Sequence, residues 1–409
     1  MNRRMFVCSA AAGIAQMSNA QTPSAIADLR PMTDGVRPIT LEERGARVEK
    51  ARRLMRENKL GAVFLDGGSS QFYFTGVRWS QNDPTLGLVI PARGEPIWIA
   101  PVSHEKRAYE VVSSSADVRT WQEADGPFAA VAGALKDRAA ERVGIDENVR
   151  FALFDSIRKQ APAIDFANAR PVTAGCRMIK SQAEIALMQR ANDITIAAYR
   201  AALATLREGM TQIELRNNVT AAYRALGVQG NVDISFGKYT AFPHGSIQPQ
   251  KLREGDFVLL DDGCSIDGYQ SDITRTTIFG KPTERQRQIW ALERRAQDAA
   301  FAAAKPGATC ESVDSAARKV ITDFGFGPDY KVPGLPHRTG HGIGIDIHEW
   351  TYLVRGNKTP LAPGMCFSDE PMIAIYGEFG VRLEDCMYIT SDGARFFTKQ
   401  SPAIDHPFG

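Results

Sequence analysis

Closely spaced cysteines are missing from this chain of 409 residues. Its six cysteines are scattered, and no two of them form a Cys-x-x-Cys pair. A zinc site built from thiolates and a disulfide framework are therefore not expected. Apolar runs near the roughly 18 residues of a membrane span are also missing, so no transmembrane segment is expected.

An excess of charge of either sign is absent too. The chain has 49 lysine and arginine residues against 47 aspartate and glutamate residues, without a long basic run. Because nucleic-acid binding usually needs a basic patch or stripe, no nucleic-acid partner is expected.

The first twenty residues, "MNRRMFVCSAAAGIAQMSNA", have the order of an export leader. Arg3 and Arg4 precede a weakly apolar, alanine-rich stretch that ends in "SNA". The paired arginines resemble a twin-arginine signal, which predicts a periplasmic protein. If the leader is not functional, the protein is cytoplasmic and residues 1–20 are only a frayed tail.

The rest of the chain divides into two regions of different pattern. Residues 21–42, rich in proline and small polar residues, are predicted to be a linker, with order beginning near residue 41. Helices and strands alternate over 43–172, which predicts an α/β domain. Residues 177–409 combine long helices with β-rich runs, which predicts an α+β domain. The helical stripe that includes Ile185 is predicted to end at a cap on Gly209.

Histidine is scarce, and half of it is concentrated in one segment. The chain has six histidines, and "PHRTGHGIGIDIHEW" contains His337, His341 and His348. A glycine-rich loop with surface histidines would also explain this segment if it stood alone.

Two aspartates lie on a predicted hairpin before this segment. If Asp267-Gly268 forms a two-residue turn, Gly263 lies opposite Asp272, and Asp261 shares their face. Carboxylates on such diagonal neighbours, about 7–8 Å apart at Cα, can reach a common centre. They either point into water or hold a cation between them.

Two glutamates lie on a second predicted hairpin after the histidine-rich segment. Gly377 to Gly380 is predicted to supply its turn, and an odd loop length places Glu370 and Glu384 on one face. Four carboxylates and one imidazole form a ligand set suited to manganese, iron or cobalt, and usable by zinc. Two such ions can hold one bridging hydroxide and polarise a carbonyl, which predicts hydrolysis.

These residues resemble the pita-bread metallopeptidases, specifically the proline-specific branch of Xaa-Pro dipeptidases (prolidases) and Xaa-Pro aminopeptidases. The segments "FPHG", "DDGCSIDGYQSDITRT", "HRTGHGIGIDIHE", "DEP" and "GVRLED" follow the family's order, and "SSQFYFTGVRW" resembles part of its N-terminal domain. The resemblance implies a creatinase/prolidase-like α/β domain over 43–172 and an α+β pita-bread catalytic domain over 177–409.

The resemblance also implies a metal site with two divalent ions per chain. Manganese is first among the expected metals, with cobalt, iron or zinc as the others. Arg382 is expected to hold the first aspartate in place. The implied ligands are Asp261, Asp272, His341, Glu370 and Glu384.

Four residues are implied to act on the substrate. A metal-bound hydroxide is expected to attack the carbonyl before proline, with Glu370 as the acceptor of its proton. His244 and His348 are expected to stabilise the oxyanion or move a proton to the leaving nitrogen. His337 is expected to line the substrate pocket. The implied substrates are Xaa-Pro dipeptides or short proline-containing peptides, and the implied assembly is a homodimer.

The chain departs from the family at several positions. Ala374 replaces the usual tyrosine, with Tyr376 two residues further on, and Tyr239 replaces an asparagine. Tyr352 stands where many dipeptidases have an arginine for the substrate's carboxylate, so Arg355 is predicted to take that role. Dipeptidase and aminopeptidase activities therefore both stay open.

Other functions are compatible with parts of this pattern. A metal-dependent hydrolase or lyase of a small non-peptide substrate could use the same fold. A metal-free hydrolase with a histidine base and a non-catalytic binding protein would normally lack the five ligands, so both are disfavoured.

Overall fold

The structure is a computed structural model that describes residues 23–113 and 115–408. The predicted export leader lies outside the described residues, so the localisation stays a prediction. None of the helices in the described ranges is both long and apolar enough to cross a membrane.

The predicted linker packs against the body of the protein. It contains a short helix, α1 (Ser24–Ala27), and the side chains of Ile26 and Ile39 are buried. The Met32 amide donates a hydrogen bond to Leu226 O at 3.0 Å. The expectation that order begins near residue 41 is wrong, because isolated apolar side chains anchor a segment that shows no periodicity.

The first domain has helices packed on a mixed sheet, as its alternating pattern predicted. Its helices are α2 (Leu41–Glu57), α3 (Gly68–Thr75), α4 (Glu105–Val111), α5 (Phe128–Asp137), α6 (Phe151–Gln160) and α7 (Arg170–Arg177). Its strands are β1 (Ala62–Asp66), β2 (Gly87–Pro91), β3 (Ile97–Pro101), β4 (Asp117–Trp121), β5 (Arg142–Ile145) and β6 (Asp165–Asn168). The strand order is β4-β3-β2-β1-β5-β6. All residues of β1, β2 and β3 are buried, which explains why their sequences are continuous apolar runs.

Four longer helices of the second domain begin at threonine or serine caps. Capping boxes at Ser181, Thr211 and Thr283 start the first three of them. The helices are α8 (Gln182–Leu203), α9 (Gln212–Ala225), α10 (Glu284–Ala303) and α11 (Cys310–Asp323).

The predicted cap at Gly209 is wrong, because α8 ends at Leu203. The chain after α8 instead pairs with a distant segment. The Gly209 amide donates to Leu252 O at 2.8 Å, and the Leu252 amide donates to Met210 O at 2.8 Å. This tertiary pairing takes the backbone out of the helix before the glycine is reached.

The strands of the second domain form small antiparallel sheets beside these helices. They are β7 (Asp233–Phe236), β8 (Phe257–Asp261), β9 (Ser265–Ile266), β10 (Tyr269–Gln270), β11 (Arg275–Ile278), β12 (Gly340–Gly342), β13 (Glu349–Leu353), β14 (Cys366–Asp369), β15 (Met372–Ile375), β16 (Phe379–Arg382), β17 (Asp385–Ile389) and β18 (Ala394–Phe396). Their orders are β11-β8-β7, β10-β9, β13-β12-β14-β17-β18 and β15-β16. Helix α8 contacts β9 and β10, α9 contacts β7, and α10 contacts β14, β15 and β16. The predicted α+β class is confirmed.

Candidate metal centre

The two predicted aspartates lie on one hairpin that runs from β8 to β11. Its tip is Asp267-Gly268, with φ of 47° and 89°, and Ile266 pairs with Tyr269 across it. Positive φ at both central residues is typical of the turn that suits two-residue hairpins. The predicted turn and register are therefore confirmed.

A threonine connects this hairpin to the second one. The pairing of Arg275 with Leu260 places Thr274 opposite Asp261. The Thr274 hydroxyl lies 2.6 Å from Asp261 Oδ1 and 2.6 Å from Glu384 Oε2. Sequence reasoning missed Thr274, because an uncharged residue between strand positions gives no signal of its own.

The two predicted glutamates face each other across the second hairpin. Met372 pairs with Arg382, and Asp369 pairs with Asp385, so a single register places Glu370 opposite Glu384. Their shared face follows from the odd loop length, as predicted.

The predicted position of that loop was wrong. The turn occupies residues 376–378, and Gly380 lies within β16, paired with Ala374. A Cβ at Gly380 would overlap the carbonyl oxygen of Thr240. The glycine is therefore needed for close packing against a neighbouring segment and not for a turn.

His341 lies on β12, between the two hairpins. Its amide donates to Ser368 Oγ at 3.0 Å, and its Nδ1 lies 3.0 Å from Gly342 O. With a metal ion bound, a proton on Nδ1 would satisfy that carbonyl and Nε2 would be the ligand atom. Nε2 lies 3.4 Å from Asp272 Oδ2 and 3.2 Å from Glu370 Oε1.

The five predicted metal ligands are thus brought together. One atom from each of Asp272, His341 and Glu384 lies within 4.8 Å of the other two, and all three residues are buried. Glu370 joins the group through His341, and Asp261 joins it through the Thr274 hydroxyl.

The charge of this group fits bound cations. Burial and the nearby carboxylates Asp272 and Glu370 raise the pKa of Glu384 well above its usual range. Within the part of the chain that the structure describes, the buried Glu384 Oε1 has no hydrogen-bond partner. Four carboxylates supply hard oxygen ligands and one imidazole supplies a nitrogen ligand, a set that manganese accepts.

Arg382 is the cation that orders the first aspartate. Its Nη2 pairs with Asp261 Oδ2, its Nε donates to Thr274 Oγ1 at 2.9 Å, and its Nη1 donates to Pro243 O at 3.0 Å. A single guanidinium cannot balance four carboxylates, so the charge argument for bound cations remains.

Two predicted catalytic histidines lie at the open side of the cluster. The ring of His348 contacts that of His341, with centroids 4.3 Å apart at 85°. Both His244 and His348 are exposed. Loss of part of its hydration, together with the charges of His341 and Arg338, lowers the pKa of His348 to about 4. His348 is therefore neutral at neutral pH.

His337 is half-buried, and its neighbour Arg338 was missed by sequence reasoning. His337 Nδ1 lies 2.6 Å from Arg338 O, and burial lowers the pKa of the His337 ring. The Arg338 guanidinium lies over the Tyr352 ring, 4.8 Å from its centroid. The Arg338 charge also lowers the pKa of His348. Its guanidinium therefore lies on the side of the cluster where His337 and His348 lie.

The structure does not bring Arg355 to the cluster. Arg355 is exposed, pairs with Asp329, and lies 5.8 Å from the Tyr330 ring. The prediction that it replaces the arginine missing at Tyr352 is not supported, because its charge is already paired at the surface.

The tyrosine missing at position 374 is not replaced by Tyr376. Ala374 is fully buried in β15, whereas Tyr376 is 53% exposed and stacks near Phe242, with ring centroids 5.5 Å apart. The loop turns Tyr376 away from the position of Ala374.

Comparisons with known proteins agree with this geometry. The sequence matches "Metallopeptidase family M24" over residues 186–391 and "Creatinase/Prolidase N-terminal domain" over residues 47–179. An Xaa-Pro dipeptidase of Lactobacillus delbrueckii subsp. lactis is 32% identical over 370 residues, which cover 87% of this chain and 98% of the relative.

Two solved structures resemble the whole fold. Dipeptidase PepE from Mycobacterium ulcerans has a TM-score of 0.84 at 29% identity, covering 91% of this chain and 100% of that one. A recombinant prolidase from Thermococcus sibiricus has a TM-score of 0.79 at 29% identity, covering 87% and 96%. With a creatinase/prolidase N-terminal domain followed by a pita-bread domain that brings the five predicted metal ligands together, the chain belongs to metallopeptidase family M24.

Proposed function

We propose that the protein hydrolyses the Xaa-Pro bond of dipeptides, with short Xaa-Pro peptides as the alternative substrates. The observation that carries this proposal is the convergence of the five metal-ligating side chains at the junction of two hairpins and β12. The relatives described above are dipeptidases or prolidases, which favours dipeptides as substrates.

The residues present fit two divalent ions, with manganese first among the candidates. Asp261, Asp272, His341, Glu370 and Glu384 would hold them. When bound, such ions lower the pKa of a water molecule and polarise a substrate carbonyl. Arg382 keeps Asp261 in position for this role.

Glu370 is our candidate for the acceptor of a proton from the attacking water. Its carboxylate lies beside His341, and the Ser368 hydroxyl donates to its Oε1 at 3.1 Å. Contact with His341 outweighs the effect of burial and lowers the pKa of Glu370, so the carboxylate is ionised and can accept a proton.

His348 and His244 are placed at the open side, where the substrate must enter. Proline leaves as a secondary amine, so its nitrogen has to be protonated as the bond breaks. A neutral His348 can donate a hydrogen bond to the oxyanion that forms when water attacks the carbonyl. It can also pass the proton from Glu370 to the leaving nitrogen.

Arg338 is our candidate for binding the C-terminal carboxylate of a dipeptide. Its charge lies near His337 and His348, and stacking on Tyr352 limits its motion. Bidentate pairing with a carboxylate is a geometry that arginine favours.

The test is to assay Xaa-Pro dipeptides against Xaa-Pro tripeptides with manganese, cobalt and zinc. We expect turnover of dipeptides, with two ions per chain in the active protein. An absence of turnover of either class after reconstitution would reject the proposal, and preference for tripeptides would make the protein an aminopeptidase.

We also propose export through the twin-arginine route and assembly as a homodimer. Arg3 and Arg4 support the first, and the resemblance to the family supports the second. Cell fractionation of the full chain and of an Arg3→Lys/Arg4→Lys chain tests export, and analytical ultracentrifugation tests the dimer.

A further inference from the structure

The segment between β12 and β13 carries His348 and is attached to the first domain. The exposed His348 ring contacts the His341 ring, and the backbone of this segment determines where the His348 side chain starts. That backbone is held by a group of charged residues from the junction of the two domains, which we call the junction cluster: Arg177, Lys180, Asp346 and Glu349.

The junction cluster is a closely paired and largely buried ion network. Arg177 Nη2 lies 2.6 Å from Asp346 Oδ2, and Arg177 Nε donates to Glu349 Oε1 at 3.2 Å. Lys180 Nζ donates to Glu349 Oε2 at 2.9 Å. Arg177, Lys180 and Glu349 are buried, while Asp346 is partly open to solvent. Arg177 ends α7, which packs against α2 of the first domain and runs past the predicted end of that domain at residue 172. Lys180 follows it in the connection to α8.

The Glu349 carboxylate holds the turn that precedes His348. The amides of Ile345 and Asp346 donate to Glu349 Oε1 at 2.9 Å and 3.2 Å. A Cβ at Gly344 would lie 2.7 Å from Glu349 Oε2 and 2.8 Å from Lys180 Cε. A side chain at position 344 would therefore displace the Lys180–Glu349 ion pair.

The first domain reaches this turn through α3 as well. Ser69 Oγ donates to Asp346 Oδ1, and Arg177 Nη1 lies 3.5 Å from Ser70 Oγ. A small cavity of about 50 Å³ lies against the turn, and its lining includes Ser70, His348 and Glu349. The first domain therefore forms one side of the segment that carries His348.

We propose that the junction cluster is a positioning device, through which the first domain fixes the backbone that presents His348. Asp346 and Arg177 are the positioning residues. Apolar residues of similar volume would stabilise such a position about as well as a buried ion pair does, so the cluster is better explained by the geometry that it imposes. Displacement of a reacting group by about 1 Å can cost on the order of a hundredfold in rate. The proposal rests on the role proposed above for His348.

The first test uses Asp346→Asn, because this residue is partly exposed and its replacement leaves no unpaired buried carboxylate. We expect kcat to fall by roughly tenfold, with KM changed less than twofold and two metal ions per chain retained. Ser69→Ala should lower kcat in the same direction by a smaller factor. The control is Asp137→Asn, which removes another 2.6 Å ion pair of the first domain, with Arg119, and should leave kcat unchanged.

The second test places Asp346→Asn in a His348→Gln background. If Asp346 acts through His348, the double variant should be no slower than His348→Gln alone. Full additivity of the two losses, an unchanged kcat in Asp346→Asn, or loss of bound metal in that variant would overturn the proposal.

Hydrogen–deuterium exchange of the metal-loaded protein supplies a measurement that does not depend on substrate. Asp346→Asn should increase amide exchange at residues 344–349 and leave exchange at residues 366–389 unchanged. Unchanged exchange at 344–349 would overturn the proposal. Failure of the proposed function would appear separately, as an absence of Xaa-Pro turnover in the wild-type protein.

Discussion

At the scale of single residues, the three clustered histidines lie in different environments. His341 is buried between carboxylates, His348 is exposed beside it, and His337 is half-buried against its own chain. In the sequence, only the family motif indicates that His341, and not His337 or His348, is the expected metal ligand. The uncharged Thr274 was not predictable, because its importance comes from contacts with two carboxylates that are distant in sequence.

Replacement of two of these histidines should have different effects. His341→Ala should reduce the metal content below two ions per chain, because the single imidazole ligand is lost. His348→Gln should retain both ions and lower kcat on the order of a hundredfold or more, as expected for a residue that moves a proton. Elemental analysis and steady-state kinetics measure the two effects, with the exposed His406→Ala as control. Retained metal in His341→Ala would contradict these assignments.

Arg338, at the start of the histidine-rich segment, and Arg355, just after its end, should also differ. Arg338→Gln should raise KM for dipeptides roughly tenfold or more, because a charge-assisted hydrogen bond is worth about 1.5–3 kcal/mol. Arg355→Gln should have little effect, since Arg355 already pairs with Asp329 at the surface. Kinetics with dipeptides and their C-terminal amides measure the difference. Equal effects of Arg338→Gln on both substrate classes would exclude a role in carboxylate binding.

At the scale of elements, the two hairpins were predictable because a turn signal and an alternating pattern together determine the register. Asp267-Gly268 forms the predicted turn, and Glu370 faces Glu384 as the odd loop length requires. The misplaced elements share one cause. The sequence pattern predicts a helix cap at Gly209 and a turn that ends at Gly380, whereas contacts with distant segments determine both positions.

Gly263 provides a test of the first hairpin. A Cβ at this position would overlap Ser271 O across the hairpin. Gly263→Ala should therefore destabilise the fold by about 1–3 kcal/mol, as overpacked positions do, and weaken metal binding through Asp261 and Asp272. Thermal unfolding of the metal-free and metal-loaded protein measures both effects. Gly133→Ala, where a Cβ meets open space on α5, is the control and should not lower the stability.

At the scale of the whole molecule, length and the change in pattern predicted two domains, and the comparisons confirmed the fold class. The packing of residues 23–40 and the junction cluster were not predictable. Both depend on single residues, such as Ile26 and Arg177, that carry no periodic or motif signal. The periodicity of a sequence indicates which residues share a face of one helix or strand, whereas these contacts join elements that are far apart in the chain.

The junction cluster should make the stability of the protein depend on acid pH. Burial opposes the ionisation of Glu349, but Arg177 and Lys180 outweigh it and lower the Glu349 pKa to about 2 from 4.5. A lowered folded-state pKa contributes stability above pH 4.5, and this contribution is lost as the pH falls toward 2. This contribution to the free energy of unfolding is on the order of 3 kcal/mol. Glu349→Gln should therefore be less stable at pH 7 and show a shallower loss of stability between pH 4.5 and 2. Denaturant unfolding between pH 7 and pH 2 measures the free energy of unfolding of both proteins. If the two pH profiles are parallel, Glu349 does not contribute to the pH dependence of stability.

If the five converging side chains hold two metal ions that hydrolyse an Xaa-Pro bond, activity has to follow metal occupancy. This dependence is measured as the rate of Xaa-Pro dipeptide hydrolysis by chelator-treated protein while manganese is added back in known equivalents. We expect no turnover without metal and a rate that rises until about two ions per chain are bound. Full turnover in the metal-free protein, or none at saturating manganese, cobalt or zinc, would contradict it.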